Sequence, residues 1–252
     1  MASAGSTTLG DILTIAWKEW KEYLIQRGNL RGGVVGLAIV LGVFGIMVPY
    51  QSGAGWVEQP LSIVYWAWLP LFMVIGVIAD SFAGERERHT LEALLATRLT
   101  DRAILLGKVF AAAIYGWGFT LLAVTLGLIT VNLAHGQGRL LMYPPLVAIA
   151  IAFVGLLAAL LAAAAGVLVS LRAKSVRQAA QTLSIAVMIL LFVPVFGIQA
   201  LPPEVQARLL STGASLSAEG LAVGAVVLLL VVDAVLLATA MARFQRSRLL
   251  AG

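Results

Sequence analysis

A chain of 252 residues that is 61% hydrophobic and only 12% charged departs from the roughly 25% charge of a soluble domain. Its mean hydropathy of +0.98 identifies a single transmembrane domain covering residues 1–252. No cysteine is present, which excludes disulfides, thiolate metal sites and cysteine nucleophiles. The net charge of +5 comes from basic residues beside apolar runs, where they set orientation and give no nucleic-acid footprint.

The N-terminal segment, residues 10–30, reads as an amphipathic helix lying in the membrane interface. Over Asp11–Arg27, the side chains of Ile12, Leu13, Ala16, Trp17, Trp20, Tyr23 and Leu24 share an arc of about 140° on a 3.6-residue wheel. Lys18, Glu19, Lys21 and Glu22 fall outside it. No secretory signal is expected, because the first long apolar run begins only near Gly32.

Six stretches reach the roughly 20 apolar residues that a bilayer crossing needs. They are Gly32–Tyr50, Leu61–Phe82, Ala103–Leu133, Tyr143–Leu171, Ala179–Ala200 and Leu221–Ala242. Lys18, Lys21, Arg27, Arg31, Arg86, Arg88, Arg98, Arg102, Lys108, Arg172, Lys174, Arg177, Arg243, Arg246 and Arg248 all fall on one side, against Arg139 and Arg208 on the other. This asymmetry places both termini in the cytoplasm of a cell (inner or plasma) membrane. On the opposite face, Tyr50, Trp56, Tyr65, Trp66 and Trp68 fit an aromatic interface belt. Gly32 with Gly36, and the series Gly155, Ala158, Ala159, Ala162, Ala163 and Gly166, provide small surfaces for close helix approach.

Between the second and third spans lies a charged insert, residues 84–101. Glu85, Arg86, Glu87, Arg88 and Glu92 supply mixed charge, and Leu91, Leu94, Leu95 and Leu99 recur at helical spacing. Arg88 and Glu92 stand four apart, positioned to pair. Thr100 or Asp101 is placed to cap the third span. A plain connector needs neither mixed signs nor a leucine stripe, so the insert reads as a docking surface for a soluble partner.

Chemical motifs are missing. There is no GxxxxGK[ST] phosphate loop, no HExxH pair and no GxSxG elbow, and only His89 and His135 are present. No catalytic, cofactor-binding or metal site is expected. One carboxylate, Asp233, falls within the last span. At that depth it is either an intramembrane polar site for substrate or ion, or a neutral or paired acid bonded to a neighbouring hydroxyl.

The run Phe82–Lys108 carries Gly84-Glu85-Arg86-Glu87-Arg88, Thr90-Leu91-Glu92, Leu94-Leu95-Ala96-Thr97 and Ile104-Leu105-Leu106-Gly107-Lys108. It resembles the type-2 ABC transporter permease family, as does Val176-Arg177-Gln178-Ala179 at the start of the fifth span. His89 departs from the family's frequent glycine, and Arg98-Leu99 from its common proline turn. The resemblance implies an all-α membrane fold of six spans, an interfacial N-terminal helix and a cytoplasmic coupling helix. It assigns ATPase coupling to Glu85, Arg86, Glu87, Arg88, Thr90, Leu91, Glu92, Leu94 and Leu95. It also implies an exporter permease without catalysis of its own, working as a dimer with two ATP-binding subunits that hold ATP and magnesium. Residues 201–220 would match that family's extracellular loop with short helices. The alternative is a stand-alone ion-coupled carrier or channel built on Asp233. The sparse polar side chains of the spans favour lipids, hydrophobic drugs or lipid-linked substrates over sugars.

Overall fold

The computed structural model describes residues 8–23, 30–58, 62–208 and 218–244, and within them the chain is helical throughout, with no strand. In chain order the helices are α1 (Thr8–Lys21), α2 (Leu30–Leu41), α3 (Val48–Ser52), α4 (Gly55–Glu58), α5 (Ser62–Glu87), α6 (Leu91–Leu95), α7 (Asp101–His135), α8 (Pro145–Ser170) and α9 (Val176–Gln199). A short helical stretch over 203–208, α10, and α11 (Ala218–Arg243) follow. Among the described residues, six helices are long and apolar enough to cross a membrane. They coincide with the stretches read from hydropathy. The second differs most: α5 runs on to Glu87, a turn beyond Phe82.

The first span is continuous from α2 to α3 through a widened π-helical segment, Gly42–Met47. Pro49 inside it cannot donate a backbone hydrogen bond to the carbonyl of Gly45. That oxygen instead accepts from Thr130 Oγ1 of α7 at 2.8 Å, so the proline is tolerated because a neighbouring helix satisfies the freed group.

Side-chain caps define the starts of α7 and α9. Thr100 accepts from the Ala103 amide at 3.2 Å to open α7, as the sequence indicates, and Ser175 accepts from the Gln178 amide at 3.1 Å to open α9. The 35 residues of α7 extend about 52 Å at 1.5 Å per residue. A bilayer core is roughly 30 Å thick, so α7 reaches well past it and offers a post for other elements.

The closest helix pairing is α5 against α8. Small residues make it possible: Ala158, Ala159, Ala162 and Ala163 are buried, and a Cβ on Gly166 would lie 2.2 Å from Ile78 Cγ2. Ser170 bolts the pair, donating to the Ala79 carbonyl at 3.0 Å and accepting from the Ala83 amide at 3.0 Å. By contrast, a Cβ on Gly36 would meet nothing within 4 Å among the described residues; the surroundings of Gly32 lie outside them.

At the outer end, two tryptophans expected in an aromatic belt are packed inside. Trp66 is fully buried and donates from Nε1 to the Tyr143 hydroxyl at 2.9 Å. Trp56 meets it edge-on at 5.4 Å between ring centroids. Indole N–H groups buried in this way need a partner, and Tyr143 supplies one that the linear sequence does not reveal. Tyr50 is exposed and keeps the belt assignment, Trp68 lies against Phe192, and the Tyr65 side chain lies outside the described residues. Asn132 holds the loop leading to α8 by bonding both the N–H and the carbonyl of Leu141.

Gly166→Leu is expected to destabilise by about 1–3 kcal/mol, the usual cost of overpacking, whereas Gly36→Leu leaves the folded monomer nearly unchanged. Thermal unfolding of the two variants in detergent distinguishes them.

Candidate functional site

The residues Glu85-Arg86-Glu87-Arg88 lie where the ends of five helices, α1, α5, α7, α8 and α9, converge. Each charge has a different job inside the chain.

Glu85 is buried and faces Lys108, which is 1% exposed. Lys108 projects from α7, seven residues in from its start at Asp101. Its ammonium donates to Glu19 Oε1 at 2.7 Å, Glu85 Oε1 at 2.9 Å and the Ser81 carbonyl at 2.9 Å. A lysine has three donors, and all three are satisfied. The ammonium also lies 5.2 Å from the centre of the Phe82 ring, within reach of a cation–π attraction. Lys18 adds a second cation, 3.2 Å from both Glu85 and Glu22.

Burial works against the charge of Lys18, but the carboxylates of Glu19, Glu85 and Glu22 outweigh it and raise its pKa above the ordinary 10.5. A raised lysine contributes stability that is complete below its unfolded pKa and lost only as pH climbs through the folded one. Lys18 therefore does not switch near neutrality. Burial first, and then Glu19, push the Tyr23 phenol well above 10, so it stays neutral and donates to Glu19 Oε2 at 3.3 Å.

Glu19 is the main correction to the reading of α1. A hydropathy wheel turns it toward water, yet it is 2% exposed. The face of α1 against α7 is the stripe containing Ile15, Glu19 and Tyr23. Gly107 permits this approach, since a Cβ there would sit 2.6 Å from Ile15 and 3.0 Å from the Ile12 carbonyl. Trp20 donates to the Ala111 carbonyl at 3.2 Å. Leu9, Leu13 and Trp17 remain more than 60% exposed, an apolar face of the kind that lipid covers.

Arg86 reaches sideways and donates to the carbonyls of Leu171 and Ala173 at 2.9 and 2.7 Å. It thereby supplies a cation to the C-terminal end of α8, where the helix dipole is negative. Glu87 accepts from the Val176 amide at 3.0 Å and so meets the positive N-terminal end of α9. Arg88 turns back to Asp80, with contacts of 3.1 and 3.3 Å. It does not pair with Glu92, because the helix breaks between them.

The break is a Schellman turn. The Thr90 amide bonds the Glu85 carbonyl at 2.9 Å, the His89 amide bonds the Arg86 carbonyl at 3.1 Å, and His89 has φ +56°. That left-handed conformation favours glycine, which accounts physically for glycine being frequent at this position in the family that the sequence resembles.

The sequence places a coupling helix over Glu85–Leu95. The structure splits that range: Glu85, Arg86 and Glu87 belong to α5, and α6 is a separate turn, Leu91–Leu95. Of the leucine stripe, Leu91 faces inward, while Leu94 and Leu99 are half-buried and also border the cleft between α1 and α6. Leu91 is 9% exposed within the main core, and Leu94 and Leu99 pack against it, so these leucines seat α6 on its own chain. Of Leu95 only the backbone is described. The outward face carries Thr90, Glu92, Ala93 and Ala96. A cleft of about 620 Å³ opens between α1 and α6, bordered by Thr14, Lys18, Glu22, Arg88, Ala93 and Thr97.

Asp233 stands apart from this hub. It is 4% exposed, and both carboxylate oxygens are buried without a hydrogen-bond partner. The neighbouring hydroxyl expected from sequence is not found among the described residues. Nor do the described residues hold any cluster of three or more His, Asp or Glu suited to a metal.

Lys108→Met removes the buried cation and leaves Glu19 and Glu85 only the more exposed Lys18; breaking a buried pair typically costs about 3–5 kcal/mol, and Lys18 holds the loss toward the lower end. A steep fall in melting temperature is expected, with much of it recovered in the triple variant that adds Glu19→Gln and Glu85→Gln. His89→Gly should stabilise by roughly 0.5–1 kcal/mol through relief of the left-handed turn, seen as a higher melting temperature in the same assay.

Comparison with curated proteins finds no match. The family model for the ABC-2 family transporter protein matches residues 44–212, 169 of the 252 residues. The match begins within the first span, passes through the end of α5, α6, α7, α8 and α9, and ends just before α11. With six helices able to cross a membrane and a family match over two thirds of its length, the chain belongs to the ABC-2 transporter family, whose members are the membrane components of ABC transporters.

Proposed function

We propose that this chain is the permease subunit of an ATP-driven exporter and that α6 is the part an ATP-binding subunit pushes. The observation that carries this reading is the wiring of the hub. α6 is five residues long, so it has little stability of its own. It is seated by Leu91 and joined to α5 by a closed Schellman turn. Immediately beyond that turn, Glu85, Arg86 and Glu87 bond α1 with α7, the end of α8 and the start of α9 respectively. Force on α6 is thus delivered to several span ends together, which favours rigid-body motion over local bending.

In this reading two such chains pair within a cell membrane, both termini face the cytoplasm, and two partner subunits hold ATP and magnesium. The fifteen-to-two distribution of basic residues supports that orientation. The chain itself has no phosphate loop, so nucleotide chemistry belongs to the partner. Glu85 and Arg86 act as internal struts, while Thr90, Glu92, Ala93 and Ala96 meet the ATPase. Because Leu91 faces the core, Leu91→Asp destabilises the chain and does not cleanly uncouple it.

The test is co-purification with the cognate ATP-binding subunit, followed by ATP hydrolysis in proteoliposomes. Glu92→Arg combined with Ala96→Trp is expected to reduce subunit capture or stimulated hydrolysis at least tenfold while leaving the melting temperature of the isolated chain unchanged. Wild-type capture and hydrolysis by this double variant would show that α6 is not the docking element.

A further inference from the structure

We propose that the gap between α9 and α11 binds an anionic phospholipid, with one acyl chain in an apolar cavity against α8 and the phosphate at Arg172 and Arg243, where α8 and α11 end. Such a site goes beyond the permease reading and does not depend on it.

The cavity has a volume of about 390 Å³ and lies between α5, α8, α9 and α11. Ile75, Ala165, Leu183 and Val232 border it from one helix each, and every other residue around it is apolar too. Leu190 and Leu228, which also border it, are 53% and 64% exposed, so it opens sideways between α9 and α11, where a membrane-spanning helix meets lipid. An ion, a sugar or a peptide backbone would enter it without a hydrogen-bond partner. A hydrocarbon chain needs none.

The cationic end is placed by helical phase. Arg172 follows Ala165 by seven residues and Arg243 follows Val232 by eleven. At about 100° per residue, each arginine returns to within roughly 20° of the side of its helix that borders the cavity. The two helices end together: Phe244 meets Phe82 at 5.1 Å between ring centroids, and Ser170 accepts from the Phe82 and Ala83 amides. Both arginines are exposed, and neither forms an ion pair among the described residues. Glu87, at the end of α5, is committed to the Val176 amide. Lys174, also exposed, adds a further positive charge in the same loop.

Length ties the two parts together. The cavity is bordered on α8 from Leu161 to Ala165 and on α11 from Leu228 to Val232, which at 1.5 Å per residue is about 10–22 Å along the axes from the arginines. The hydrocarbon of one leaflet is roughly 15 Å deep, so a chain hanging from a headgroup at the arginines reaches that depth. Guanidinium groups suit a phosphate, which they hold through paired N–H donors. Free phosphate leaves the cavity unfilled, and a neutral hydrocarbon leaves the arginines unpaired. An anionic lipid satisfies both.

The full chain, purified in detergent, is titrated with dioleoyl phosphatidylglycerol and with dioleoyl phosphatidylcholine, and bound lipid is counted by native mass spectrometry. The anionic lipid is expected to bind at least tenfold more tightly. Arg172→Gln combined with Arg243→Gln should weaken it at least tenfold and leave the zwitterionic lipid within twofold. The control pair Arg98→Gln with Arg102→Gln, also exposed cations, should change it less than twofold. Ala186→Trp, which fills the cavity from its exposed edge, should weaken both lipids at least fivefold. Millimolar inorganic phosphate should displace neither. The wild-type chain gives a check that needs no variant: phosphatidylglycerol carrying a diazirine on its acyl chain should crosslink to the stretches of α9 and α11 that border the cavity. Equal binding of the two lipids, undiminished phosphatidylglycerol binding in the Arg172/Arg243 or Ala186 variant, an equal loss in the control pair, displacement by phosphate, or crosslinks confined to other helices overturns the proposal.

Discussion

An ammonium group with essentially no access to water governs the end of the bundle where α1, α5 and α7 meet. Lys108 is placed inside a long apolar helix, where an uncompensated charge is expensive. Compensation comes from three directions: Glu19 of α1, Glu85 at the end of α5 and the Ser81 carbonyl. Because these acceptors belong to different elements, satisfying one lysine draws α1 and the end of α5 onto α7. Buried ion pairs of this kind contribute less to net stability than to the choice of one arrangement. Here the arrangement chosen is the docking of the N-terminal helix.

The same economy extends along the next three residues. Alternating charge at successive positions usually points to a solvated face. At the end of α5 the backbone turns about 100° per residue, so four consecutive side chains leave in four directions: three meet other elements and Arg88 folds back on Asp80 of α5 itself. Arg86 and Glu87 also match the dipoles of the helix ends they touch, a cation at the C-terminal end of α8 and an anion at the N-terminal end of α9. A block of charge that resembles a surface for a partner is, for the most part, a set of internal ties. What remains outward is the small face of α6 just beyond the Schellman turn. A handle fixed so closely to the span ends is well suited to passing on displacement, since packed and bonded elements shift between discrete arrangements and do not deform smoothly.

Several polar groups inside the spans follow a similar logic. Thr130 relieves the carbonyl freed by Pro49, Ser170 bridges α5 to α8, and Asn132 holds the loop before α8. Each is paid for by a backbone group that would otherwise be unsatisfied in hydrocarbon. Asp233 differs, since both of its carboxylate oxygens are buried without a hydrogen-bond partner.

Much of the architecture is legible in one dimension, because hydrocarbon thickness imposes a length and lipid imposes apolarity. The six spans, the cap at Thr100, the small-residue face of α8 and the family resemblance are all local patterns of this type. Their basic flanks likewise carry orientation without reference to contacts. Tertiary structure decided what each charge and aromatic ring faces. Glu19 lies outside the apolar arc of α1, and only the approach at Gly107 shows that this side is buried. Lys108 gave one usable hint, since a lysine seven residues inside an apolar helix requires a carboxylate nearby, but the sequence does not say which one 89 positions away supplies it. Trp66 reads as an interface residue until Tyr143 is seen across from it, and Leu91 reads as a docking surface until the core is seen beneath it. Periodicity shows that a helix has two faces; which of them meets protein, lipid or water depends on neighbours distant in sequence.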